Sequence, residues 1–318
     1  MDGPSILDLP KDIISLIAQE VSPSAYVCMK LTCRRIFYNT KRGQSSINVI
    51  NVINDSLSNE SPDVFKFLNE ELGITICDFL VCFRIASYGN LPLLKWARAN
   101  NYFWNEGTCE IAAEGGHLEV LKYAHENGCP WDASICAQAA KRGHLEVLKW
   151  LRENGCPWSY STCIYAAIGG HLEVLKYAHD NGCPWYENTC SEAAGGGHLE
   201  VLKYLHENGC PWSYSTCSNA ARAGKLEVLK WLRENGCPWS YSTCSNAAEG
   251  GHLEVLKYAH ENGCPWDKSI CYNSAKGGHL ECLKYARENG CPWDKDECIK
   301  CAKKYNHTHI LEWIAEQN

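Results

Sequence analysis

From about residue 82 onward, two short apolar patterns alternate along the chain. Residues 134–160 show both. "SICAQAAKR" places Cys136, Ala139 and Ala140 at i, i+3 and i+4, one narrow helical face of small side chains. "HLEVLKWLREN" carries Leu145, Leu148 and Leu151 on a second stripe, with Val147 beside it. Glu146 and Lys149 fall on the wet side, three apart, where they pair weakly. The spacing predicts two short helices per unit. Ser134 is expected to cap the first, and Gly143 to end it in a left-handed turn. Asn154 and Gly155 close the second helix in the same way, and Pro157 bars its continuation.

The unit recurs. Glycines stand at Gly89, Gly116, Gly143 and onward to Gly278, each step 27 residues. A fixed period in this range signals stacked repeats. Cys82 precedes Cys109 by the same 27 residues, so the register reaches back that far. A degenerate copy, "PDVFKFL", stands earlier still. After Gly278 the register slips by one residue, and the final "NHTHILEWIAEQN" reads as a copy that stops halfway. Helices shorter than about 12–15 residues are marginal alone in water. Stacking supplies what each lacks by burying the Leu, Val, Ala, Cys and Trp faces. The expected fold is an all-α solenoid of helix-turn-helix units.

"STCSNAARAGKLEVLKWLRENG" resembles the helix pair of ankyrin repeats. The family's T-P-L-H-x-A-A-x-x-G-H signature runs over Ser215, Thr216, Cys217, Ser218, Asn219, Ala220, Ala221 and on to Gly224. "ENGCPW" is similar to the family's "ENGADVN". Ankyrin repeats run about 33 residues, six more than the unit here. The missing stretch falls where ankyrins carry a β-hairpin finger, so the resemblance implies an ankyrin-like solenoid with blunt turns. It covers residues from about 60 to 318. The 27-residue form with "NGCPW" resembles arrays common in large DNA viruses of amoebae.

Composition narrows the function classes. Of 318 residues, 45% are hydrophobic and 21% charged, as in a soluble globular chain. No apolar run approaches the roughly 18 residues of a membrane span, and "MDGPSILDLPKD" lacks the basic, then apolar, pattern of a secretory signal. A net charge of −7 without a basic run disfavours nucleic acid. Twenty-one cysteines, an odd number without an export signal, read as reduced thiols. The expectation is a cytoplasmic monomer, in the host cytoplasm if the source is viral.

Cysteine and histidine could signal metal chemistry. One cysteine slot lies in the first helix, from Cys82 and Cys109 to Cys298; the other precedes Pro-Trp, from Cys129 to Cys291. Zinc needs a complete ligand set, commonly four, and these sets decouple. Lys225 replaces the recurring histidine while Cys210, Cys217, Cys237 and Cys244 remain, and Tyr102 replaces one cysteine while Cys109 persists. Cysteine as a small buried hydrophobe explains both slots. No metal and no cofactor is expected, with a thiol-rich metal binder or redox ladder as the alternative. The histidines after glycine (His117, His144, His171, His198, His252, His279) are expected to bond between neighbouring units. A second set (His125, His179, His206, His260) alternates with Arg152, Arg233 and Arg287, an interchange that suits a solvated face. The turn tryptophans, Trp104 to Trp293, are expected to cover the seam between units. No nucleotide loop, nucleophile elbow or recurring acid–base pair is present, so no enzyme is expected.

Differences between copies concentrate in the first helix. One variable site is the pair after its cysteine: Ala137-Gln138, Ile164-Tyr165, Ser191-Glu192, Ser218-Asn219, Tyr272-Asn273. The other follows the two alanines: Glu114, Lys141, Ile168, Gly195, Arg222, Glu249, Lys276. Both are expected to face away from the Cys/Ala face. Gln138, Tyr165, Glu192, Asn219, Asn246 and Asn273, together with Glu114, Lys141, Ile168, Arg222, Glu249 and Lys276, are therefore the expected surface for an unidentified target protein.

Residues 1–40 break the repeat. Pro10 suits a first helical turn, and Ile13, Ile14, Leu16, Ile17 and Val21 make a broad apolar stripe. This stretch resembles an F-box. The family's L-P-x-[DE]-[IL]-[IL] start matches Leu9, Pro10, Asp12, Ile13 and Ile14, and its later L-x-x-x-x-R element resembles Leu31 to Arg35. The resemblance implies docking of Leu9, Pro10, Ile13, Ile14, Ile17, Val21, Leu31 and Ile36 on the Skp-type subunit of a cullin–RING ubiquitin ligase. Residues 41–60, polar and Asn/Ser-rich, read as a linker, and 61–318 as the solenoid. The expected function is an adaptor that joins a target protein to the ligase; a cap on the first repeat, within a scaffold or decoy lacking any ligase link, is the alternative.

Overall fold

The computed structural model describes residues 78–317. The expected 1–40 domain, the 41–60 linker and "PDVFKFL" lie outside the described residues. Every element among those described is an α-helix, and none is a strand. The helices come in pairs, a leading and a trailing one: Glu106–Glu114 with Leu118–Glu126, Tyr214–Arg222 with Leu226–Glu234, Ser269–Gly277 with Leu280–Glu288. Each pair is the helix-turn-helix unit expected from the apolar spacing.

The described chain falls into two compact units. One runs to Ala139 and takes in Lys149–Pro157; the other comprises Ala140–Leu148 and everything from Trp158 on. In the second unit the leading helices pack side by side, Ser161–Gly169 on Glu187–Gly196 on Tyr214–Arg222 on Tyr241–Glu249 on Ser269–Gly277. The trailing helices touch one another far less. In the first unit Asp78–Ser87 packs on Glu106–Glu114 in the same way.

Small side chains allow that approach. Cys217, Ala220 and Ala221 are fully buried on the leading helix, as are Cys109, Ala112 and Ala113. Trailing helices contribute the larger groups, with Leu202, Leu205, Leu229 and Leu232 fully buried. Their outer faces are polar, and Glu200 and Lys203 pair at 2.7 Å, three residues apart.

Both helices of a pair end alike. The His117 amide donates to the Ala112 carbonyl at 2.9 Å and the Gly116 amide to Ala113 at 3.2 Å, with Gly116 at φ 74°. After the trailing helix, Cys129 donates to Ala124 at 2.9 Å and Gly128 to His125 at 3.0 Å, with Gly128 at φ 79°. This is the paired closure of a Schellman motif, which satisfies two orphan carbonyls at each end. The asparagine before the second glycine adds a third bond: Asn127 Nδ2 donates to the Tyr123 carbonyl at 2.8 Å.

Two expectations need correction. Ser134 is the first residue of helix Ser134–Lys141 rather than its cap; Asp132 Oδ1 accepts from the Ser134 amide at 2.8 Å and does that work. The last copy does not stop halfway. It forms a full pair, Lys295–Lys304 and Thr308–Glu316, with Asn306 at φ 60° in place of the glycine. The one-residue slip is absorbed by a ten-residue leading helix.

The two glycine classes differ in surroundings. A Cβ on Gly170 (φ 72°) would lie 2.4 Å from His198 Nδ1, whereas one on Gly182 (φ 83°) would meet nothing within 4 Å. Gly182→Ala should therefore cost only the left-handed strain, about 1 kcal/mol. Gly170→Ala must also displace an imidazole, and should cost about 3 kcal/mol. Urea denaturation of the two variants checks the order.

Candidate protein-interaction surface

The histidine after glycine joins one repeat to the next. His171 Nε2 lies 3.2 Å from the Lys141 carbonyl, His198 Nε2 2.8 Å from Ile168, His252 Nε2 3.0 Å from Arg222 and His307 Nε2 3.0 Å from Lys276. In the first unit His117 Nε2 lies 3.1 Å from Ser87. Each acceptor sits at the C-terminal end of the preceding leading helix, where carbonyls lack partners. A carbonyl can only accept, so Nε2 carries the proton. The bond between neighbouring units expected of these histidines is present. In one copy Lys225 lies in this place, its side chain against Gly197.

The second histidine set does not merely face solvent. His179 stacks on Trp185 with ring centroids 3.5 Å apart, His206 on Trp212 at 3.9 Å and His260 on Trp266 at 3.5 Å. Where the copy carries arginine, its guanidinium takes the same place: Arg233 lies 4.0 Å from the Trp239 ring centroid and Arg287 4.6 Å from that of Trp293. Both arginines also donate to the carbonyl of the turn cysteine. His and Arg interchange because both present a flat face to an indole. Each tryptophan then meets an aromatic of the following trailing helix edge-on, Trp185 with Tyr204 at 6.1 Å and Trp212 with Trp231 at 5.9 Å. The rings thus cover the seam between repeats, as expected for Trp104 to Trp293.

The expected target-binding positions divide. Ile168 and Arg222 are exposed, and Glu114, Gln138, Lys141, Tyr165, Glu192 and Asn273 are half-buried. Asn219 and Asn246, also half-buried, donate across to the Ser191 and Ser218 carbonyls at 3.4 and 3.3 Å. Glu249 and Lys276, expected to meet a target, meet each other at 2.6 Å. The first residue of the variable pair does not face outward. Ala137, Ile164, Ser191 and Ser218 are buried between leading helices, and Ser191 and Ser218 exchange hydroxyl bonds with Ser215 and Ser242 at 2.8 Å each. Tyr272, at the same position of a later copy, is half-buried. Leu9, Pro10, Ile13, Ile14, Ile17, Val21, Leu31 and Ile36 lie outside the described residues.

A row of exposed tyrosines lies outside the expected positions. Tyr160, Tyr186, Tyr214 and Tyr241 stand at the start of four successive leading helices of the second unit, with 67%, 53%, 57% and 57% of their surface exposed. Serines and Glu187 flank them, Ser215 Oγ donating to Glu187 at 3.2 Å. For Tyr160, Tyr214 and Tyr241 the signal lay in the "WSYST" motif, where tyrosine follows a turn without belonging to either apolar stripe; Tyr186 stands one position earlier in its repeat, in "WYENT".

Among the described residues no group of three or more His, Cys, Asp or Glu could hold a metal ion. None of their helices is long and apolar enough to cross a membrane. The cysteines described are buried thiols.

The model of the family "ankyrin repeats (many copies)" matches residues 109–152, 135–179, 163–206 and 244–287. A solved ankyrin repeat domain, that of human ASB11, is similar at 19% identity over 49% of this chain and 84% of its own, with a TM-score of 0.41. No curated protein matches the chain. These matches, over residues 109–206 and 244–287, and the stacked helix pairs make that part of the chain similar to ankyrin repeats.

Two tests follow from the ring geometry. Arg233→His should stay within about 0.5 kcal/mol of the parent because imidazole takes the same stack, whereas Arg233→Ala should cost about 1 kcal/mol, read from chemical denaturation. The second concerns pH. Burial holds the His279 imidazolium below the usual histidine range; its bond to the Glu249 carbonyl opposes this, and His252, His307 and His309 add to it. Below about pH 6.5 the unfolded chain therefore takes up this proton before the folded one. Stability should be full above that pH and fall as pH drops through the folded value. His279→Gln should flatten that part of a melting-temperature profile from pH 7 to 5.

Proposed function

We propose that the chain is a non-enzymatic adaptor: its repeats hold a target protein, and its N-terminal F-box-like segment docks on the Skp-type subunit of a cullin–RING ubiquitin ligase. The exposed tyrosine row carries the target-binding half. Tyrosine is enriched where proteins meet, because it offers large contact area at low entropic cost with a polar tip. Four on successive repeats stand outside the buried faces of the helices. Ile168 and Arg222, both exposed, extend the same surface along the leading helices. The half-buried expected positions shape its floor. The ligase half is supported by the match of Leu9, Pro10, Asp12, Ile13 and Ile14 to the F-box start. Target identity then depends on the tyrosine row and ligase delivery on residues 1–40, so the two can be separated by mutation.

Leu9→Ala and Ile13→Asp should abolish co-purification of the Skp-type subunit while leaving target capture intact. No retention by the parent chain either would reduce the protein to a scaffold without a ligase link. Replacing Tyr160, Tyr186, Tyr214 and Tyr241 with serine should lower the yield of cross-linked targets at least about tenfold, with an unchanged melting temperature.

A further inference from the structure

Each repeat brings together two thiols that lie 20 residues apart in sequence. Cys136 Sγ donates to Cys156 Sγ across 3.5 Å. In the same slots of later repeats the leading-helix thiol lies against the turn cysteine through its carbonyl, Cys163 donating to the Cys183 carbonyl at 3.8 Å, Cys190 to that of Cys210 at 3.9 Å and Cys217 to that of Cys237 at 4.0 Å. The turn thiol in turn donates to the residue preceding the leading helix region, Cys156 to the Asp132 carbonyl at 3.5 Å and Cys291 to Asp267 at 3.2 Å. Where Tyr102 fills the turn slot, the Cys82 thiol likewise donates to the Tyr102 carbonyl, at 3.7 Å.

Packing alone does not account for this. A narrow helix face needs only a small apolar group in each slot, and alanine serves that need at the neighbouring positions. The cysteine pair recurs at one spacing in seven repeats, and two sulfurs facing each other, as Cys136 and Cys156 do, are the arrangement from which a disulfide closes with a short movement, since bonded sulfurs lie about 2 Å apart.

We propose that each of these pairs is a disulfide-forming site, oxidised reversibly by a low-molecular-weight disulfide of the glutathione class. The turn cysteine reacts first. The residues flanking it, Gly155 and Pro157 around Cys156, are exposed, so local opening of the turn uncovers it before the leading helix. The bond from Cys136 and the nearby Arg152 guanidinium also hold the Cys156 thiol below its usual range, and Cys291 is held low by Cys271 in the same way. The turn thiolate attacks one sulfur of the small disulfide, whose S–S bond breaks and releases a thiolate. The leading-helix thiol then loses its proton and attacks the turn sulfur of the mixed disulfide, expelling the second thiolate. Two protein thiols become one disulfide, the small disulfide becomes two thiols, and the protons released by the protein are taken up by them. The new bond ties turn to leading helix and restrains the unfolded chain.

The full chain, incubated with glutathione disulfide well below its melting temperature, alkylated, digested and mapped by mass spectrometry, tests this. The expected linkages join residues 20 apart within a repeat, and the oxidised chain melts several degrees higher. In Cys136→Ala the Cys136–Cys156 link alone should vanish, with Cys156 recovered as a mixed disulfide with glutathione. Linkages between repeats would overturn the proposal. So would a native chain whose thiols all stay free under conditions that oxidise the same chain in urea.

Discussion

Neighbouring leading helices lie so close that mainly alanine, cysteine, serine and threonine fill the layer between them, with an isoleucine such as Ile164 in places, and the rest of each unit is arranged around that closeness. Cys217, Ala220 and Ala221 are fully buried there, with Ser218 nearly so. Such a face gains little apolar burial per residue. The larger aliphatics are carried by the trailing helices instead, and those helices touch their neighbours less. The gap on that side is wide enough for an indole, and the Trp–His and Trp–Arg stacks occupy it. Serine and threonine are tolerated in the tight layer because their hydroxyls find one another, as Ser218 finds Ser242 at 2.8 Å.

The second constraint is helical length. Nine-residue helices expose nearly as many end groups as they satisfy internally. Each end is therefore closed from outside the helix: by the left-handed glycine, by the trailing asparagine amide, and by an imidazole from the following repeat. The ring that caps the Ile168 carbonyl also lies against Gly170, which is why that glycine answers both to backbone conformation and to space. One residue type thus serves cap and spacer together.

The repeat period, the helix pairs, the glycine turns and the histidine bond between units were legible in the sequence, because all are set by local spacing and by comparison among copies. What escaped was decided by distance in space. Cys129 and Cys136 are seven apart in the chain, yet Cys136 pairs with Cys156, across its own trailing helix. His179 and Arg233 looked like drifting surface positions because neither lies on an apolar stripe; their partner is an indole six residues on. Ala137 and Ser218 vary between copies yet are buried, since variation reports only that several small groups fit, not that the site is wet. Ser134 looked like a cap, but Asp132, two residues earlier, reaches its amide. Exposed tyrosines were passed over because a pattern search for buried faces has no reason to stop at them.

Every contact between repeats is written once per period: a ring reaches back to one carbonyl, and an indole reaches forward to one aromatic. Within each compact unit both partners are supplied by most adjacent copies, the Lys225 copy being the exception for the ring. A gene segment encoding one whole period can therefore be copied or lost in tandem, and the junction it leaves already contains the matching groups. Such a chain can change its length during evolution without waiting for compensating substitutions.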